Sequence, residues 1–150
     1  MLAFKHILVA TDLTEVSRGA IDVARDLARE TGAALTVVHT CEVPTFGDMG
    51  VPPDLLTPMV ESARTKMEDE VRAIRGECPC ARTVVRVGAP SEQILALAEE
   101  VHADLLVVGT HGRRGLAHAL IGSVAERLVR TAPVPVLTVG SHAAPAAAPR

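Results

Sequence analysis

Four residues concentrate the capacity for chemistry in this sequence. They are arranged as Gly109-Thr-His-Gly112, then nine residues, then Gly122-Ser123-Val124. Glycine lets a backbone approach a ligand with no Cβ in the way. Gly122-Ser123 stands at the expected start of a helix, where free N–H groups and the positive end of the helix dipole attract anions. The Ser123 hydroxyl adds one more donor, and Arg113 and Arg114 between the two halves can screen phosphate charge. The pattern points to a phosphate-bearing ligand, although the same glycines would also serve a tight turn and a helix start with no ligand.

Other nucleotide motifs are missing. There is no G-x-x-x-x-G-K-[ST], so the chain is not a P-loop protein. Gly109, Gly112 and Gly115 are spaced G-x-x-G-x-x-G, and no G-x-G-x-x-G follows the first strand, where a dinucleotide fingerprint belongs. His39 and His111 lie nearest the glycine motif, but neither has a partner at metal-ligand or catalytic spacing. His39 reads as a strand-end histidine hydrogen-bonded locally. Cys78-Pro79-Cys80 is a C-x-C with no second Cys/His pair nearby, and reads as a surface loop.

Alternating strand and helix patterns must position these residues. Residues 5–11 read as a buried strand. Ala20, Ile21, Ala24, Leu27 and Ala28 recur at helical spacing, with Thr14 as N-cap and Gly32 as the stop. Residues 34–40 form a second strand, and 41–58, rich in Pro and Gly, a long loop. A second helix carries Val60, Ala63, Met67, Val71 and Ile74, its methionines being core packing. A third strand over 82–88, a third helix opened by Pro90, and a fourth strand over 104–109 follow. Leu105-Leu106-Val107-Val108 is apolar on both faces, as a central parallel strand should be. A helix over 122–131 and a strand over 134–139 complete the pattern, with Pro135 demoting that strand to an edge. The tail 141–150 is Ala/Pro-rich and expected to be disordered.

Alternation of this kind predicts an α/β fold: one doubly wound sheet of five parallel strands, order 3-2-1-4-5, with helices on both faces over residues 1–140. Ligands in such sheets bind beyond the carboxyl ends of the strands, where the strand order reverses. That places attention on Thr11-Asp12 and on Gly109-Thr110-His111-Gly112.

Composition narrows the function. In 150 residues, 48% hydrophobic, there are two Phe and no Trp or Tyr, so the core is aliphatic and stacking platforms for single-stranded bases are lacking. The net charge of −3, with charges mixed along the chain, argues against nucleic-acid binding. No segment approaches about 18 uninterrupted apolar residues, so no membrane span is expected. The N-terminus lacks signal-peptide features, and the odd number of cysteines makes no disulfide framework. The cytoplasm is the expected compartment.

Over residues 4–140 the chain resembles the universal stress protein family. The resemblance rests on Ile7-Leu-Val-Ala-Thr-Asp12, Val37-Val-His39, Val87-Gly-Ala-Pro90, Val134-Pro-Val-Leu-Thr-Val139 and above all the spacing G-x2-G-x9-G-[ST]. In that family this last motif marks members that bind ATP. The resemblance implies a Rossmann-like domain in which Gly112, Gly122, Ser123 and Val124 hold the phosphates, with Arg113 nearby. Gly109 would pass close to the ribose, and Ala10, Thr11, Asp12 and Thr40 would lie at the adenosine end. It also implies Mg²⁺ or Mn²⁺ bridging the phosphates and a homodimer joined through Val134–Val139. Ala10 stands where the family often has Pro or Val. Asp12 has a competing role as a cap for the first helix, with Glu15 three residues on.

Three functions follow from these readings: an ATP-binding regulatory module, a slow ATPase, and an interaction protein that binds no nucleotide. The S-G-G-x-D-S loop of ATP pyrophosphatases is replaced by Ala10-Thr-Asp-Leu-Thr-Glu15, which disfavours that enzymatic branch. No Glu, Gln or Asp among residues 109–124 could position an attacking water, so any hydrolysis is expected to be slow.

Overall fold

The computed structural model describes residues 3–43, 50–110 and 121–140. The elements run β1 (His6–Ala10), α1 (Glu15–Thr31), β2 (Ala34–Cys41), α2 (Pro53–Ile74), β3 (Arg82–Val87), α3 (Pro90–Glu100), β4 (Leu105–Gly109), α4 (Ser123–Thr131) and β5 (Val136–Val139). The five strands form one parallel sheet in the order β3-β2-β1-β4-β5, as expected. Residues 141–150, expected to form a tail, lie outside the described residues.

The period-two geometry of strands sorts the apolar side chains into two layers. Ile7 and Val9 of β1, Leu35 and Val37 of β2, and Leu105 and Val107 of β4 point to one face. There they pack with Ala20, Ile21, Ala24 and Ala28 of α1 and with Met67, Val71 and Ile74 of α2. Leu8, Val38, Leu106 and Val108 point to the other face, against Ile94, Leu97 and Ala98 of α3 and Ala125 and Leu128 of α4. Both faces of the central strands are therefore covered, which is why β1 and β4 read as unbroken apolar runs. Burying each large aliphatic side chain contributes about 1.5–3 kcal/mol. The stripe read on α1 is the buried one, except that Leu27 is only partly buried.

Gly32 ends α1 in the left-handed region (φ 72°) and donates its N–H to Ala28 O, as its place after the stripe predicts. Gly88 adopts φ 139° between β3 and α3, where an added Cβ would meet the Gln93 side chain at 3.0 Å.

The long loop expected over 41–58 is shorter. Helix α2 begins at Pro53, and Pro58 lies inside it. Pro53 occupies the first turn, where a missing N–H costs nothing. Pro58 faces solvent one turn later, so only one helical hydrogen bond is lost and no core contact is disturbed. β5 begins at Val136 instead of Val134. Pro135 still joins the ladder through its carbonyl, which accepts Leu106 N at 3.0 Å. Among the described residues no helix is long and apolar enough to cross a membrane.

Candidate functional site

β1 and β4 are neighbours, and the chain leaves them in opposite directions across the sheet. Ala10 is in register with Val108, so Thr11 and Asp12 emerge beside Gly109 and Thr110 at the carboxyl edge. Ala10 also pairs with Val38, which brings Thr40 of β2 to the same edge. The strand interiors are closed to solvent. Ala10, Asp12, Thr40, Gly109 and Thr110 are all partly exposed. The reversal of strand order thus falls at this edge, where a doubly wound sheet offers a ligand crevice.

The β1–α1 turn is held from within. Thr11 is buried; its N–H donates to Val38 O at 2.9 Å, and its carbonyl accepts His39 Nδ1 at 2.9 Å. A carbonyl only accepts, so Nδ1 carries the proton in the His39 ring. Thr11 Oγ1 lies 2.8 Å from Ser17 Oγ and accepts Leu13 N at 3.0 Å, while Ser17 Oγ donates to Thr14 O at 2.9 Å. These bonds fix Leu13 at φ 65°, a conformation that branched side chains rarely adopt. Thr11, read as a binding residue, thereby shapes the turn, its polar groups all engaged inside the protein.

Asp12 does not cap α1. Thr14 takes the N-cap position, and Asp12 Oδ1 instead accepts both Thr14 N (3.0 Å) and Thr14 Oγ1 in an Asx turn. The capping-box role with Glu15 fails because Asp12 lies two residues too early. Its other oxygen, Oδ2, is buried and finds no hydrogen-bond partner among the described residues. The same holds for Thr40 Oγ1. Buried polar atoms are normally paired, because leaving one unpaired costs about 1–3 kcal/mol. Two such atoms at one end of one sheet are suited to a polar ligand group.

On the far side of the crevice, Gly122 is the N-cap of α4. Its N–H donates to Thr110 O, which brings the two halves of the glycine motif together. Thr110 is anchored in turn by Val139 O, which accepts its N–H at 2.9 Å. The first helical acceptor is Gly122 O, bonded by Glu126 N at 2.9 Å. The N–H groups of Ser123, Val124 and Ala125 therefore have no intrahelical partner, and glycine provides no side chain to cap them. Such amides at a positive helix end suit an anion. Gly112 and Arg113, with His111 and Arg114, lie outside the described residues.

The structure therefore brings Ala10, Asp12, Thr40, Gly109, Gly122, Ser123 and Val124 to one edge. Ser17 was not read from the sequence as part of this region, whereas Thr110 was placed at the end of β4 without a role of its own. Ser17 carried a signal: it is a hydroxyl residue buried on the apolar stripe of α1, with Ala20, Ile21 and Ala24. The anchoring of Thr110 carried no sequence signal, because it depends on Val139 of β5. Among the described residues no group of three His, Cys, Asp or Glu side chains could hold a metal ion.

The model of the universal stress protein family matches residues 3–140. The chain is 36% identical over 141 residues to universal stress protein A homolog 1 of Coxiella burnetii, an alignment covering 91% of this chain and 96% of that protein. The fold is similar to that of UspA from Lactobacillus plantarum, with a TM-score of 0.83 and 22% identity over 93% of this chain and 99% of that one. It is also similar to a universal stress protein crystallised in complex with cAMP, with a TM-score of 0.73 and 26% identity over 93% and 99% of the two chains. A parallel sheet opened at its β1–β4 switch point, the family match along nearly the whole domain and the curated relative together establish that this chain belongs to the universal stress protein family.

Proposed function

We propose that the protein is a cytoplasmic regulatory module that binds ATP in the crevice between β1 and β4 and signals through occupancy. The observation that carries this reading is the pair of buried atoms with no partner among the described residues, Asp12 Oδ2 and Thr40 Oγ1, facing the same edge as the α4 amides that no described side chain caps. A carboxylate oxygen accepts and a hydroxyl does either, which fits the hydroxyl and amino groups of an adenosine. Ala10 and Gly109 supply backbone to line that end. The amides of Gly122, Ser123 and Val124, with the Ser123 hydroxyl, would hold phosphate oxygens, together with Gly112 and Arg113. Mg²⁺ or Mn²⁺ would travel with the nucleotide, bridging its phosphates. A homodimer through β5 completes the proposal.

A similar protein was crystallised with cAMP, which favours adenine nucleotides as the ligand class. An uncapped helix end favours a longer, more charged phosphate chain over a cyclic monophosphate. Turnover is expected to be slow. Positioning amides bind the ground state, and hydrolysis also needs a group that orients water.

Equilibrium dialysis with labelled ATP, cAMP and AMP in the presence of Mg²⁺ tests the reading. Gly122 has extended backbone angles (φ −65°, ψ 159°), so Gly122→Val can keep the fold while its side chain obstructs the phosphates. ATP should bind the wild type more tightly than cAMP, and Gly122→Val should lose most of that affinity. Equal ATP binding by both proteins would move the site elsewhere. Phosphate release of several per second would replace the regulatory reading with an ATPase.

A further inference from the structure

At the amino ends of the strands, away from the crevice, Cys78 and Cys80 share one tight turn. Ala81 N donates to Cys78 O at 3.0 Å, closing a β-turn over Cys78-Pro79-Cys80-Ala81 with proline at its favoured second position. The turn folds the chain back, so the two sulfurs lie 3.8 Å apart, in van der Waals contact. Residues two apart in such a turn fall within the roughly 4.4–6.8 Å Cα separation that disulfides span. The two thiols are unequal. Cys80 is exposed, whereas Cys78 is buried with Val71, Ile74 and Ala81. Cys80 Sγ also reaches the carbonyl of Ala33 at 3.6 Å. This arrangement goes beyond the surface-loop reading of the C-x-C.

We propose that Cys78 and Cys80 are a peroxide-reactive dithiol that closes reversibly to an intramolecular disulfide. The exposed Cys80 sulfur attacks the peroxide O–O bond, taking one oxygen as a sulfenic acid and releasing water. Cys78 then attacks the Cys80 sulfur. The S–O bond breaks, the S–S bond forms, and the departing hydroxide takes the Cys78 proton to leave as a second water. The two sulfurs lose two electrons in all, and hydrogen peroxide accepts them. Burial, followed by the hydrogen bond and the charge of Cys80, pushes the Cys78 thiol up to about 11. The exposed thiol thus meets the oxidant first, and the buried one resolves. A ring closed by one intervening residue gains little loop-closure stabilisation and is strained, which makes it a labile, regulatory disulfide more than a structural one. Cys41 cannot compete, because it ends β2 at the opposite edge of the sheet, about 23 Å along the strand from Ala34.

The full-length protein, treated with a small excess of hydrogen peroxide, quenched and alkylated under denaturing conditions, tests this. The reduced chain offers three thiols. Peroxide should leave one, with a monomer mass lower by two hydrogens, and dithiothreitol should restore all three. In Cys78→Ala, oxidation should stop at a Cys80 sulfenic acid that dimedone traps. Cys80→Ser should show no mass loss. Three alkylatable thiols in peroxide-treated wild type, bridged dimers in place of the lighter monomer, or an equal mass loss in Cys80→Ser would each overturn the proposal.

Discussion

Asp12 Oδ2 and Thr40 Oγ1 are unusual in being buried where nothing in the described protein answers them. Such an atom weakens the free protein and strengthens a complex that pairs it, so one substitution should shift the two in opposite directions. Thr40→Val keeps the shape and removes the hydroxyl. The free protein should become about 1 kcal/mol more stable in urea denaturation, while ATP binding measured by calorimetry weakens roughly 3- to 10-fold. A loss of both, or of neither, would mean that the hydroxyl already has a partner or that no ligand uses it. The glycine spacing made one half of this site readable from sequence, because Gly122 and Ser123 act through local backbone geometry. The other half, Asp12 and Thr40, was reached through the strand-end rule and the family resemblance, and its hydrogen bonding was not readable. Thr11, expected as a ligand contact, also clasps the turn, and that role was hidden because its partners Val38, His39 and Ser17 converge only in three dimensions.

Strand and helix identities were readable because burial is periodic: both faces of β1 and β4 are covered, and α1 shows its stripe. Boundaries at prolines were less so. Pro53 and Pro58 suggested a loop, yet both sit in α2, because proline is harmless in the first turn and Pro58 is exposed. Pro135 correctly marked an edge. Among the described residues, no strand pairs with β5 on its side away from β4, the kind of edge that invites another strand. Within β5, Val136 pairs with Leu106 and is partly buried against the core layer of α3 and α4, whereas Leu137 is 36% exposed. A clean test of the proposed dimer therefore uses Leu137→Lys, which places a charge at the edge without opening the core. Sedimentation should show a wild-type dimer and a Leu137→Lys monomer with unchanged circular dichroism. A wild-type monomer at high micromolar concentration would remove β5 as an interface.

The amino end of the sheet governs how the molecule as a whole meets acid. The Asp104 carboxylate accepts Lys5 N at 2.8 Å and His6 N at 3.0 Å, tying the start of β4 to that of β1. Burial acts to raise its pKa, but these backbone bonds outweigh burial and hold it below the ordinary value. Burial first, and then the Arg82 charge, lower the pKa of His6 against the pull of Asp104. Both shifts have the same sign for stability. Each folded pKa lies below its unfolded value, so each contribution is complete above that value and fades as pH falls. The His6 share should begin to fade below about pH 6.5 and the Asp104 share below about pH 4. Asp104→Asn should cost about 1–2 kcal/mol in urea at pH 7, and the gap to wild type should shrink at pH 3. A gap that stays constant with pH would show that the carboxylate charge contributes nothing. The same tie has a consequence for biosynthesis. His6 and Asp104 are 98 residues apart, and no other strand takes the place of β4 beside β1. At about 5–20 residues per second, the ribosome needs roughly 5–20 s to make the chain between them. Throughout that interval the nascent β1 has an open flank, so the strand at the centre of the finished sheet is, during translation, an edge exposed to mispairing.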